Sequence, residues 1–459
     1  MKDINSWTNY ESKELEELEK LSKNYIDFIS DNKTEREAAK ALVAMAEKEG
    51  YKNLDEIIKS GDKIKKGDKI YALNMKKAVV MLNIGDDIVN NGLNILGAHI
   101  DSPRIDTKQN PLYEKDEFVY FNTQYYGGIK KYQWVTLPLA IHGVIIKKDG
   151  TEINISIGEK DDEPVFFISD LLIHLAQDQM KKPASQVVEG ENLDIIIGTK
   201  PLKGEEKDIV KANIIKIMKE KYNIEEDDLW SAELEIVPAG RAREAGLDRS
   251  LILGYGHDDR CCAYTSALAM LETKNPKKTA CGLFVDKEEI GSVGATGMES
   301  KFFENVIAEV LDRMGIYSEL NLKRTLRNSR MLSSDVSATF DPLYADKFDK
   351  QNAAQFGRGI VFNKYTGGRG KSSSNDANAE YLAKLRKIFH DNDVIFQSAE
   401  LGRVDVGGGG TIAYILSLYG MEVVDSGIAV LSMHSPWEAI SKADLYEAKK
   451  GYLAFLKDA

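Results

Sequence analysis

The sequence predicts an α/β protein: a mixed sheet flanked by helices on both faces, interrupted by an inserted, β-rich domain. Three observations predict it. At 459 residues the chain exceeds what one hydrophobic core supports. Short, β-branched apolar runs alternate with helix-length amphipathic segments, first before residue 107 and again after 248, which is the rhythm of a sheet with helices packed on it. Between these stretches, residues 108–247 change texture, so we read 1–107 and 248–459 as one catalytic domain and 108–247 as the insert.

The opening reads as two helices. One runs through 11–29; the other begins with a capping box at Thr34 and Glu37 and directs Ala38, Ala39, Leu42, Val43 and Met45 inward. Apolar runs at 78–84 and 93–100 are short and bounded by turn residues, as buried strands are. Within the insert, 144–146 and 152–157 read as strands, 169–180 as a helix and 203–228 as a charged stretch. Helices at 263–272, 301–314, 377–391 and 411–418 then alternate with strands at 281–285, 359–363 and 427–431, and a last helix covers 442–456.

A formal net charge of −12, spread along the chain, argues against a nucleic-acid surface or an anionic membrane as partner. No apolar run reaches the roughly 18 residues of a membrane span. The start, MKDINSWTNYESKELEELEK, has neither a signal core nor a transit pattern, so a cytoplasmic protein is expected. Three cysteines, two of them adjacent at Cys261 and Cys262, form neither a disulfide framework nor a structural zinc site.

Ligands in open α/β sheets gather at the carboxyl ends of strands, so polar residues just past apolar runs are where chemistry is sought. His99 ends one such run, and Asp101 lies two residues on, where a carboxylate can fix the imidazole tautomer. Asp258 and Asp259 follow LIL in GYGHDDR; one aspartate there could bridge two metals, or cap a helix. Glu288 and Glu289 come just after CGLFV, and in extended backbone they would point opposite ways, one toward a metal and one toward substrate. Asp335 and His434 also stand at the ends of apolar segments, and two of the six histidines of the chain, His99 and His434, occupy such positions. Two histidines and three carboxylates make a mixed N/O ligand set without thiolate, suited to zinc, cobalt or manganese. Two divalent ions against three carboxylates leave about +1, which a hydroxide neutralises.

GAHIDSPRID, GHDDR, VDKEEIGSVGATG, SSDVSATFDP and LSMHSPWEA, in this order and with a long insertion after the first, closely resemble the aspartyl aminopeptidase and vacuolar aminopeptidase I family of co-catalytic zinc peptidases. The resemblance implies a phosphorylase/hydrolase-like sheet and a metallo-aminopeptidase of two divalent ions that cleaves the N-terminal residue from short peptides. It implies His99 with Asp335 on one metal, His434 with Glu289 on the other, Asp258 bridging, Glu288 as general base and Asp101 orienting His99. It further implies that the insert mediates dimerisation, that dimers assemble into dodecamers, and that His174 reaches into a neighbouring subunit's site.

The sequence also departs from the pattern. Where acidic-specific relatives carry a histidine three residues after the aspartate ligand it has Ala338, and near their substrate-binding lysine it has Asn363 and Lys364. Lys371 and Arg403 remain as cationic partners for an acidic side chain. Residues 407–410, all glycine and followed by Thr411, could offer N–H groups to a substrate backbone; they lack the Gly-Lys-Ser/Thr of a nucleotide loop. Two alternatives stand beside the aminopeptidase: another di-metal hydrolase, such as a carboxypeptidase or deacylase using Arg104 or Arg260 for a carboxylate, and an inactive scaffold, for which Glu288 would be superfluous.

Overall fold

The structure, a computed structural model, describes residues 5–368, 370–372 and 374–459. They group into two compact units. The first comprises residues 5–101, Ala242–Met433 and Glu438–Ala459; the second comprises Ser102–Arg241 with His434–Trp437.

The first unit is built on a nine-stranded mixed sheet. At its centre Thr279–Val285, Leu93–His99, Arg330–Ser333 and Glu422–Gly427 run parallel, and antiparallel strands flank them, with Ala78–Asn83 beside Thr279–Val285 and Ile360–Asn363 beside Glu422–Gly427. Alternation along each strand sends side chains to two cores. Val79, Met81, Leu96, Ala98, Phe284, Leu332 and Val424 join the helices Ser12–Asp31, Glu35–Lys48, His257–Glu272, Ala379–Asp391 and Lys442–Asp458. Val80, Leu82, Ile95, Leu283, Met331 and Val423 join Leu54–Ser60, Phe302–Arg313, Glu319–Arg327 and Ala413–Ser417 on the other face. The opening helix buries Leu18, Leu21, Tyr25, Phe28 and Ile29 along one stripe, and Thr34 caps the next through reciprocal bonds with Glu37, of 3.2 and 3.1 Å.

The expected strand at 427–431 is two strands. Glu422–Gly427 belongs to the nine-stranded sheet, and Ala429–Leu431 to a separate five-stranded sheet with Arg243–Ala245, Leu251–Gly254, Glu438–Ser441 and Ser337–Ala338. Asp425, buried in the first, had hidden that strand's apolar pattern.

The second unit carries a six-stranded antiparallel sheet in the order Glu152–Ile157, Leu139–Ile146, Ala232–Pro238, Arg104–Lys115, Phe118–Tyr126, Ile195–Gly198. The charged stretch contains a helix, Ile209–Tyr222, which buries Val210, Ile214 and Met218 at four-residue spacing. The helix expected at 169–180 is absent. Its place is taken by two 3-10 turns, Ile173–Leu175 and Gln179–Lys181, and Leu171, Leu172, Ile173, Leu175 and Met180 are exposed. Helical stability comes from burying an apolar face, and this segment finds none in its own chain.

Candidate metal centre

The four parallel central strands all end toward one edge, and their register levels the residues that follow: His99 stands opposite Val285, and Gly97 opposite Ser333. Sequence then carries the chain from Val285 to Glu288 and from Ser333 to Asp335. Asp258 arrives from the strand Leu251–Gly254 at the start of the helix His257–Glu272.

These side chains converge. His99 is 1% exposed, and its Nε2 lies 3.1 Å from Asp258 Oδ1 and 3.9 Å from both Glu288 Oε2 and Asp335 Oδ1. Ligand atoms of His99, Asp258 and Asp335 all lie within 4.8 Å of one another, as do those of His99, Glu288 and Glu289. On the far side of the ring, Nδ1 is 3.0 Å from the Asp101 backbone oxygen and 3.4 Å from its carboxylate. The Asp101 carboxylate meanwhile accepts the N–H of Glu288 and the N–H of Glu289, each at 3.2 Å. One buried aspartate therefore steadies the histidine and both glutamates.

Glu288 and Glu289 are not in extended backbone, as the sequence had suggested, but in a 3-10 turn, Glu288–Ile290, entered through Lys287 at a φ of 69°. The turn is what lets Asp101 reach both N–H groups at once. Asp335 depends on a close approach: a Cβ on Gly427 would stand 1.8 Å from the Asp335 carbonyl oxygen.

The electrostatics are those of a site short of positive charge. Burial disfavours protonated His99, yet the carboxylates of Asp101, Asp258 and Glu288 outweigh it and hold the imidazole well above its ordinary pKa. Burial pushes the Asp335 carboxyl up; His99 opposes this, and Glu288 and Asp258 add to it. Asp259 is raised by burial as well. Carboxylates forced together out of water in this way, around an imidazole nitrogen, suit a divalent cation.

His434 lies three residues beyond Ala429–Leu431, with a φ of 62° and its Nδ1 3.0 Å from the Gly128 oxygen, and it groups with the second unit. His174 sits exposed in the 3-10 turn Ile173–Leu175. His257, although next to Asp258, is no ligand. Its Nε2 donates to Ile252 O at 3.1 Å, its Nδ1 accepts from Tyr25 Oη at 2.7 Å, and burial lowers it to about 3.

The cations kept in reserve are occupied. Lys364 and Lys371 both pair with Asp376, Asn363 is buried and donates to Ala399 O at 2.8 Å, and Arg403 donates to Asp346 O at 3.0 Å. Fully buried Arg260 donates from all three nitrogens to the carbonyls of Gly256, Asn32 and Tyr255. In the second unit Arg104 is paired with Asp106 and Glu235 and stacked on Tyr126. The arginines of the carboxypeptidase alternative are thus engaged by the protein itself.

Sequence reasoning weighed Asp259 only as a bridge or a cap and did not see three supporting contacts. Asp259 Oδ2 accepts the His99 N–H at 3.3 Å, Glu438 accepts the Asp258 N–H at 3.1 Å, and Asp286 bonds Thr296. Each lies inside a motif already singled out; the partners of Asp259 and Glu438 are distant in sequence, while Thr296 lies ten residues beyond Asp286 across the turn that carries the two glutamates.

A protein-family profile described as "Aminopeptidase I zinc metalloprotease (M18)" matches residues 28–456. A probable M18 family aminopeptidase 1 of Clostridium acetobutylicum is 59% identical over 455 residues, covering 99% of this chain and 98% of the relative. The crystal structure of an M18 family aminopeptidase from Thermotoga maritima is 45% identical, covers 100% of both chains and has a TM-score of 0.95. The yeast mApe1 dodecamer shares the fold at 19% identity, with a TM-score of 0.76 over 95% of this chain and 96% of that one. This chain belongs to the M18 family of aminopeptidase I zinc metalloproteases.

Proposed function

We propose that this chain is a two-metal aminopeptidase, built on a phosphorylase/hydrolase-like scaffold, that removes the N-terminal residue from short peptides. The observation that carries the reading is the buried convergence of His99, Asp258 and Asp335, ligand atoms within 4.8 Å, with Glu288 3.9 Å from the same imidazole. The donor set, imidazole nitrogen and carboxylate oxygens, fits zinc, with cobalt or manganese as substitutes.

In this reading His99 and Asp335 would hold one ion, Glu289 and His434 the other, and Asp258 would be shared between them; this division, and the role of His434 above all, rests on the family resemblance. When bound, the ions polarise the scissile carbonyl and lower the pKa of a water to about 7. Glu288 takes the proton from the attacking water and returns it to the departing amine nitrogen. Asp101 keeps the His99 ring turned toward the ions and holds the turn that carries both glutamates.

The unit containing Ser102–Arg241 serves as the dimer-forming and lid domain, and dimers build a homododecamer. The exposed apolar residues around His174 support this, because a large apolar patch on a monomer marks an interaction surface. His174 enters the neighbouring subunit's site from there. The protein works in the cytoplasm, a location its three free, buried cysteines suit.

Zinc analysis together with a panel of aminoacyl anilides tests the reading. We expect about two divalent ions per chain, loss of activity with chelator, and cleavage only where the α-amine is unblocked. Active protein without metal, or equal cleavage of N-acetylated substrates, would overturn it.

A further inference from the structure

The turn that bears Glu288 and Glu289 lies in a loop that exposes its apolar side chains and closes on itself through the Ser292 N–H, which donates to Lys287 O at 2.6 Å. Ile290 and Val293 are 48% and 65% exposed, and Lys287 and Ser292 are left-handed at φ of 69° and 63°, a conformation that costs free energy in residues other than glycine. Something must fasten the loop at its base. The chain closes there on itself: the Asp286 N–H donates to Thr296 O at 3.2 Å, and Thr296 Oγ1 donates to Asp286 Oδ2 at 2.6 Å. The other carboxylate oxygen of Asp286 accepts the Lys287 N–H at 2.8 Å, at the first left-handed residue. Asp286 is 1% and Thr296 3% exposed, so water does not compete for the clasp. Asn74, on the strand Lys69–Asn74, adds a tether by donating to Ala295 O at 2.7 Å.

We propose that Asp286 and Thr296 are positioning residues: their clasp sets where Glu288 and Glu289 stand relative to His99, and hence both proton transfer and the affinity for the ion that Glu289 holds. Asp101 supports the turn from beneath through the two N–H groups, while the clasp fixes the ends of the loop, so neither replaces the other. This inference rests on the two-metal aminopeptidase reading above. Misplacing reacting groups by about 1 Å costs on the order of a hundredfold in rate. Loss of a group that orients a ligand typically costs about 10- to 100-fold in metal affinity or activity.

Thr296→Val, which keeps the shape and deletes the hydroxyl, and Thr296→Ser, which restores it, test the clasp in the full-length chain. We expect Thr296→Val to lower kcat about 10- to 100-fold with KM little changed, and to weaken the zinc affinity of one of the two sites about tenfold or more in competition with a chromophoric chelator. Thr296→Ser should recover both to within about threefold. Wild-type kcat and zinc affinity in Thr296→Val would overturn the proposal, whether or not its thermal midpoint fell. So would failure of Thr296→Ser to rescue. The chelator competition reads zinc directly, so a wild-type chain that binds two ions yet cleaves no unblocked anilide would refute the aminopeptidase reading while leaving the clasp's effect on the ion measurable.

Discussion

Replacing Asp101 by asparagine separates its charge and second oxygen from its shape. The carboxylate accepts the N–H groups of Glu288 and Glu289, each at 3.2 Å, and stands 3.4 Å from His99 Nδ1. An asparagine offers one oxygen, and its NH2 must face a backbone N–H or the ring. At least one hydrogen bond to a buried charge is then lost, worth about 1.5–3 kcal/mol, and the long distances argue for the lower end. A bond of about 1.5 kcal/mol corresponds to roughly tenfold in the population of the correct turn. Orientation of the imidazole suffers as well, so zinc affinity should fall about 10- to 100-fold. Competition with a chromophoric zinc chelator measures this directly, circular dichroism verifies the fold, and kcat at saturating zinc isolates the rate effect. An Asp101→Asn protein with wild-type zinc affinity and wild-type kcat would refute the reasoning, because it would mean that neither the turn nor the ring depends on this carboxylate.

The two glutamates should fail differently: Glu288→Gln should keep both ions and lose kcat by roughly 10²–10⁴-fold, whereas Glu289→Gln should lose zinc as well, and metal content beside kcat distinguishes them. Gly427→Ala places a Cβ 1.8 Å from the Asp335 oxygen, so it should destabilise the chain by about 1–3 kcal/mol in urea and weaken zinc binding with it. Burial raises the Asp444 carboxyl to about 7 although it accepts N–H bonds from Gly357 and Gly359. A raised carboxyl contributes stability that is fully present below its unfolded value of 3.8 and is lost as pH rises through about 7. Between pH 5 and 8 this one group should therefore cost the wild type about 2–3 kcal/mol, a slope that denaturant titrations of Asp444→Asn should show flattened.

The legible parts of the fold were those whose signal is local. The Thr34 capping box and the apolar stripe after it appear as expected, because both ends of each interaction lie within one or two turns. The strand ending at His99 could be read because a buried parallel strand is a short, nearly uninterrupted apolar run. His99, Asp258, Glu288, Glu289 and Asp335 could be picked out one by one for the same reason: each stands just past such a run. The segment at 169–180 has the apolar content of a helix but not the surface to bury it, a fact no window of sequence contains.

What stayed hidden is polar and long-range. Arg260 looked like a candidate for a substrate carboxylate because a sequence shows a guanidinium but not the three carbonyls that consume it. Asp425 fell outside the strand expected at 427–431. In fact it lies within one, fully buried, with Oδ1 accepting from Thr411 Oγ1 at 2.6 Å, and burial raises its carboxyl to about 7. A buried polar residue must find partners or shift its protonation, and those partners are chosen by topology rather than by neighbours in the chain. The same argument covers the missed members of the site. Asp259 bonds the backbone of His99, and Glu438 the backbone of Asp258, across sequence separations of 160 and 180 residues. The side chains that converge on His99 are imidazole and carboxylates just past strand ends, and such residue types in such places stand out in a sequence. Side chains that hold them are any carboxylate or hydroxyl the fold delivers to the right N–H, and they become visible only when the strands are laid side by side.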